Sequence, residues 1–324
     1  MKKSSKAKKS VKHVRHVKSS GVSADSSTER ISGVRSESAS GGVGYLKIVK
    51  DSFKFSFSLD KILITYAIML PVIILFIWFA SRLLSLGNSL PQLLNPTTPP
   101  SREIIMVVAG PFVLLIGFVI IAALLQMLVR IAIVENAEAY AKGDKKSIFE
   151  SIKAVSGRYW PALGATAIVV LGTSIITSLL MKLPYVGEFL SNIASLLLAL
   201  TFFVYLQILI ILDAGVIDSL KESYTVFVKN PLEVISITLI TIIVELLLVG
   251  VSLLVMLPLA WQTVSKFIFA APETVIDLFF VVTALKENFA VLSAGLFLVL
   301  LVWSFMSIFG EAIRTFFYLR IRKL

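Results

Sequence analysis

The chain has no cysteine and only two histidines. The first absence excludes disulfides, thiolate nucleophiles and cysteine-held metals. The histidines, His13 and His16, both lie in the polar N-terminal stretch, so the remainder lacks the commonest general base and the usual zinc ligand. Their i, i+3 spacing could hold a metal, but no further ligand stands nearby, and no metal site is expected. Charge is scarce as well. Only 16% of the 324 residues are charged and 57% are hydrophobic, whereas a soluble domain carries about 25% charged residues.

That scarcity is concentrated. Charge-free stretches run 62–81, 104–129, 159–181, 189–212, 234–265 and 288–310, and only Glu245 interrupts any of them. Crossing a hydrocarbon core takes about 20 apolar residues of helix, and each stretch is long enough. The sequence therefore predicts an all-α, polytopic membrane bundle of six helices, at 61–82, 104–130, 160–182, 189–212, 232–257 and 288–312.

Residues 1–61 hold 14 Lys/Arg against 5 Asp/Glu, which is most of the net charge of +11. Residues 1–18 contain eight basic residues and no acid, and 19–44 are rich in Ser and Gly. Such a composition buries too little apolar surface to offset chain entropy, so 1–44 reads as a disordered basic tail ahead of a membrane domain at 45–324. The tail suits anionic lipid head groups. It lacks the interleaved aromatics that stack on bases, so no specific nucleic-acid partner is expected. No cleavable signal peptide is expected, because a long polar stretch precedes the first apolar run.

Basic residues near span ends are retained on the cytoplasmic side. With the tail inside, the inner segments carry 12 Lys/Arg beyond the tail and the outer ones five. Both termini are thus expected to be cytoplasmic, in the cell membrane. The outer loop GNSLPQLLNPTTPP (87–100) is a Pro-rich linker. ETVIDLFFVVTAL (273–285) is apolar but carries Glu273 and Asp277. It reads as an interfacial or re-entrant helix, with a seventh span as the alternative.

SLKESYTVFVKNP (219–231) sits between two apolar runs, with Ile217, Leu220, Tyr224 and Phe227 at helical spacing. SIFESIKAVSGRYWP (147–161) has the same kind of stripe, and Glu150-Ser151 aligns with Glu222-Ser223. VKDSFKFSFSLDKIL (49–63) aligns through Asp51-Ser52. The chain thus reads as three parallel repeats, each a short amphipathic helix followed by a pair of spans. The short helices are expected in the interface, apolar face in the acyl boundary, or bracing neighbouring spans.

The pattern D-x-G-x-x-D-S-L-K-E-S (213–223), followed by proline and another span, and the closing EAIRTFFYLRIRKL (311–324) resemble a group of six-span prokaryotic membrane proteins. The group includes archaeal proteins without assigned function and the membrane domain fused to some glycerophosphodiester phosphodiesterases. The resemblance implies the fold. The phosphodiesterase activity belongs to a separate soluble domain, and nothing in this chain resembles one.

Catalytic motifs are lacking. AKGDKKS (141–147) misses the spacing of a phosphate loop and reads as a turn. No enzyme and no cofactor are expected. Glu245 stands out. It is the fourteenth residue from Leu232, near the bilayer midplane, where a charged acid costs about 2.5–3.5 kcal/mol. Thr238, Thr241 and Ser252 lie on its side of the helix at −7, −4 and +7. No basic residue is apparent at matching depth, so Glu245 is expected to be protonated and hydrogen-bonded to hydroxyls or to Gln126 or Gln207. The sequence favours a non-catalytic membrane scaffold that organises lipids, partners or its own oligomer. The alternative is a transporter using Glu245 for proton or cation coupling. A wet, polar cavity at mid-membrane would favour the second.

Overall fold

The computed structural model of the chain describes residues 44–85, 102–268, 286 and 288–322. The tail with His13 and His16, the loop at 87–100 and the segment 273–285 lie outside the described residues, as do the expectations attached to them. Ten α-helices and one 3-10 turn are found among the described residues, and no strand.

Six stretches are long and apolar enough to cross a membrane. They are built from α2 (Leu59–Ser85), α3 (Arg102–Ala141), α5 (Tyr159–Met181), α6 (Gly187–Thr201) with α7 (Tyr205–Ile211), α9 (Pro231–Ile268) and α10 (Phe289–Ile321). Three short helices join them: α1 (Tyr45–Ser56), α4 (Ile148–Val155) and α8 (Val216–Lys229). The bundle is all-α, with six candidate spans.

Several boundaries depart from the sequence reading. The second span does not stop at residue 130: α3 continues to Ala141, and α10 likewise continues to Ile321. A single Arg or Glu between apolar turns does not end a helix whose backbone bonds are satisfied within it. The fourth span breaks at residues 202–204, where three turn residues separate α6 from α7. Pro231 opens α9, where its missing N–H costs nothing. Pro71 and Pro111 lie inside α2 and α3, as membrane helices tolerate.

Local chemistry explains the junctions. Ser147 and Glu150 form a capping box that starts α4. AKGDKKS is a turn: Gly143 takes φ +89°, and the Asp144 amide donates to the Ala139 carbonyl at 2.9 Å. Asn136 Nδ2 secures that turn by donating to the Lys146 carbonyl at 2.9 Å and to Ser151 Oγ at 3.0 Å. Asp213 takes φ +54° after α7, and its carboxylate meets Arg158 Nε at 2.7 Å. The same Arg158 donates to the Ile210 carbonyl at 2.5 Å. Gly215 leaves room for Asp218, whose Oδ2 would lie 3.3 Å from a Cβ built there. The first half of the D-x-G-x-x-D pattern is thus a tight turn tied to the start of α5.

The α3 helix packs against α2, α4, α7 and α10, while α10 packs against α1, α2, α3 and α9. Burial is concentrated at the end of the bundle that carries the short helices. Ile131–Val134 of α3, Ile208–Ile210 of α7 and Ile308, Phe309 and Phe317 of α10 are fully enclosed. Towards the opposite end, residues such as Leu171, Leu246, Leu253 and Leu254 are exposed, as a lipid-facing surface requires.

The short helices bury part of their apolar stripe, with Ile152 and Phe227 packed against the core, and add small polar residues that the stripe does not include. In α8 the buried residues are Ser219, Leu220, Ser223 and Val226, while Ile217 and Tyr224 are more than half exposed. In α4 they are Ile148, Ser151 and Val155, with Phe149 exposed. In α1 they are Ile48, Ser52, Phe55 and Ser56, with Leu46 exposed. Ser52, Ser151 and Ser223, the three serines aligned in the sequence, are all buried. Small side chains let helix backbones approach closely without relying on water to drive association. Ser223 Oγ also donates to the Thr201 carbonyl at 2.8 Å, satisfying a carbonyl at the end of α6.

Candidate functional site

The break between α6 and α7, the through-running α3 and α10, and the inner half of α9 bring a set of ionisable side chains together. Arg130 on α3 and Glu311 on α10 form its centre. Arg130 Nε and Nη2 both donate to Glu311 Oε1, at 2.8 and 2.6 Å. Gln207 Nε2 of α7 donates to the other carboxylate oxygen at 3.0 Å. Arg314 Nη1, one turn along α10, reaches Oε1 at 3.3 Å. Glu311 is 3% exposed, so it keeps its charge only because of these donors. Arg314 also stacks over the Phe203 ring, 5.4 Å from its centroid.

Glu245 approaches from α9. Its Oε1 would lie 3.4 Å from a Cβ built on Gly310, so the bare backbone of α10 there gives the carboxylate its place. It is half-buried and, unlike Glu311, makes no hydrogen bond among the described residues. At 1.5 Å per residue, Glu245, Arg130 and Glu311 each lie about 15–21 Å in from the same end of the bundle. The expectation that no basic residue shares the depth of Glu245 is therefore corrected: Arg130 does, and Arg314, one turn nearer the end of α10, lines the same cavities.

Two cavities open at this junction, and both are lined by Arg130, Glu245, Glu311 and Arg314. One, of about 200 Å³, lies towards α6 and α7 and is completed by Phe202, Phe203, Gln207, Thr238 and Thr241, among others. The other, of about 360 Å³, lies towards α3 and includes Gln126, Trp303 and Ser307. Glu245, Thr238, Thr241 and Gln207 thus share one cavity. Gln126 sits on the other and donates to Ser307 Oγ at 3.2 Å. Ser252 lines neither; its hydroxyl donates to the Leu248 carbonyl of its own helix at 2.7 Å. The Thr238 and Thr241 hydroxyls donate to α9 carbonyls at 2.7 and 2.8 Å, leaving lone pairs available to the cavity. On α5, Thr166 shares a hydrogen bond with Tyr205 at 2.8 Å.

Among the described residues, three side-chain polar atoms are buried without partners: Gln126 Oε1, Gln207 Oε1 and Arg314 Nε. No cluster of acids suited to a metal ion exists among the described residues. Sequence reasoning placed Glu311 near the inner end of the sixth span but missed Arg130 and Arg314 as site residues. A local signal was present: both Arg130 and Glu311 are followed by further apolar turns, IAIV and TFFYL, and so are not span ends.

Comparison with protein-family models, with curated proteins and with solved structures finds no match to this chain.

Proposed function

We propose that the chain is a multi-pass protein of the cell membrane, with cytoplasmic termini, that passes a proton or small polar solute through the site around Glu245. The observation that carries this reading is the contrast between two acids. Glu311 is committed to three donors, whereas Glu245 faces both cavities with no hydrogen bond among the described residues. A fixed ion pair beside an uncommitted carboxylate is an arrangement in which one group holds the field and the other exchanges. Acids inside membrane spans commonly mark such paths. Open cavities lined by charged side chains are the feature that separates a carrier from a filled scaffold.

The orientation rests on the Lys/Arg asymmetry, and the threefold repeat gains support from the three buried serines at matching register. The exposed apolar residues Leu46, Phe149, Ile217 and Tyr224 support contact of the short helices with lipid. Anionic head groups are the partners proposed for the basic tail. The proposed relationship to the six-span prokaryotic group rests on the 213–223 and 311–324 patterns. A scaffold role is the second reading, favoured by the tight packing at the short-helix end; homo-oligomer formation would fit it.

The test is proton flux into proteoliposomes containing the full chain. Wild type is expected to dissipate an imposed pH gradient, and Glu245→Gln is expected to abolish this while remaining folded. No flux in wild type would leave the scaffold. Accessibility reporters at residues 92 and 324 test the orientation, and a C-terminus facing outward would overturn it.

A further inference from the structure

If Glu245 exchanges a proton, the charges facing it constrain what travels with that proton. From α3 comes Arg130; from α10 come Glu311 and Arg314. From α7 come Gln207 and Tyr205, whose hydroxyl is shared with Thr166. The part of α6 that lines the junction brings no charge, and α9 brings only Glu245. Glu311 is fixed as a carboxylate by Arg130, Gln207 and Arg314. Two guanidinium groups against one fixed carboxylate leave one positive charge in excess. Glu245 as a carboxylate balances that charge. With Glu245 protonated, a monovalent anion balances it instead. A net charge inside a membrane-spanning bundle is costly, so the two states are alternatives, and a bound cation suits neither.

The unpaired atoms narrow the anion. Arg314 Nε is a buried donor without an acceptor, and Gln207, only 1% exposed, has Oε1 without a donor. Both residues line the cavity of about 200 Å³. A buried polar group without a partner is destabilising, and a ligand with both kinds of atom would satisfy the two together. We propose that this cavity binds a small monovalent oxyanion carrying its own hydroxyl, and that the anion enters with one proton held by Glu245. The class includes bicarbonate, dihydrogen phosphate and short hydroxy-carboxylates. No covalent step is involved; the proton moves from solvent to a Glu245 oxygen.

This proposal rests on the carrier reading, and calorimetry on the full chain in nanodiscs distinguishes the two. Glycolate, acetate and methylammonium serve as probes. Glycolate is expected to bind about tenfold or more tightly than acetate, which lacks the hydroxyl, and methylammonium not to compete. In two buffers of different ionisation enthalpy, wild type is expected to take up about one proton per glycolate bound, and Glu245→Gln about none. Arg314→Lys keeps the charge but removes Nε, and is expected to weaken glycolate about tenfold; melting curves establish that it is folded, and the wild-type probe series decides alone if it is not. Tighter binding of methylammonium, glycolate binding without proton uptake, or no binding of any probe would overturn the proposal. Proton flux without glycolate binding would sink the oxyanion and spare the carrier; glycolate binding with proton uptake but no flux would do the reverse.

Discussion

Glu245 and Gly310 meet across the α9–α10 interface, with Glu245 Oε1 3.4 Å from the place a Cβ at position 310 would take. The gap of 3.4 Å admits a methyl group in ordinary contact and nothing larger. Gly310→Ala is therefore expected to fold and retain proton flux. Gly310→Val forces the carboxylate aside, costs about 1–3 kcal/mol by overpacking, and should lower flux together with the melting temperature. Equal behaviour of the two variants would mean that Glu245 is not held against the α10 backbone.

The Arg130–Glu311 pair should be asymmetric under mutation. Glu311→Ala leaves two guanidinium groups without their buried anion and is expected to cost about 3–5 kcal/mol. Replacing both partners together, as Arg130→Met with Glu311→Leu, should recover part of that loss in denaturant unfolding. A double variant no better than Glu311→Ala would show that the remaining partners, Gln207 and Arg314, dominate the cost.

Exposure ranks substitutions on α8. Leu220 is 9% exposed and Tyr224 is 56% exposed. Leu220→Asp and Ser223→Leu are expected to lower the melting temperature strongly, by burying a charge and by forcing α8 off its neighbours. Tyr224→Asp should lower it clearly less, because an exposed side chain gives up contact with lipid but leaves the packing of α8 intact. The sequence reading grouped Leu220 with Tyr224, and similar losses at both would restore that face.

Deleting residues 2–40 is expected to leave membrane insertion and melting temperature nearly unchanged, since this composition supports no core. A loss of several degrees would mean that the segment is docked.

The six spans were legible because length and hydropathy are local properties: a charge-free run of twenty-odd residues has few other uses. The serines on the inner side of the short helices were not, because apolar periodicity does not register small polar side chains. In a membrane protein the lipid takes the large apolar side chains and close helix contacts take small ones. Ser52, Ser151 and Ser223 were found by alignment, which by itself does not distinguish a buried serine from an exposed one. The site was half legible. Glu245 with Thr238 and Thr241 could be placed from one helix alone. Its cationic neighbours could not, because Arg130 and Glu311 are 181 positions apart and each resembles the end of an apolar run. The break at 202–204, which sets Gln207 beside Glu311, has no proline or glycine to announce it.

The separation of Arg130 from Glu311 also has a meaning in time. At about 5–20 residues per second, a ribosome completes Glu311 about 10–40 s after Arg130. Throughout that interval α3 carries a guanidinium whose anion does not yet exist. Of the residues made in between, Gln207 is neutral, and Glu245 lines the same cavities without a hydrogen bond to Arg130 among the described residues, so neither replaces the Glu311 pair. The nascent chain must therefore keep Arg130 among head groups or water until the last span arrives, and the final seating of α3 is paced by α10. A chain truncated before residue 311 is expected to leave α3 open to protease, whereas the full chain leaves it protected.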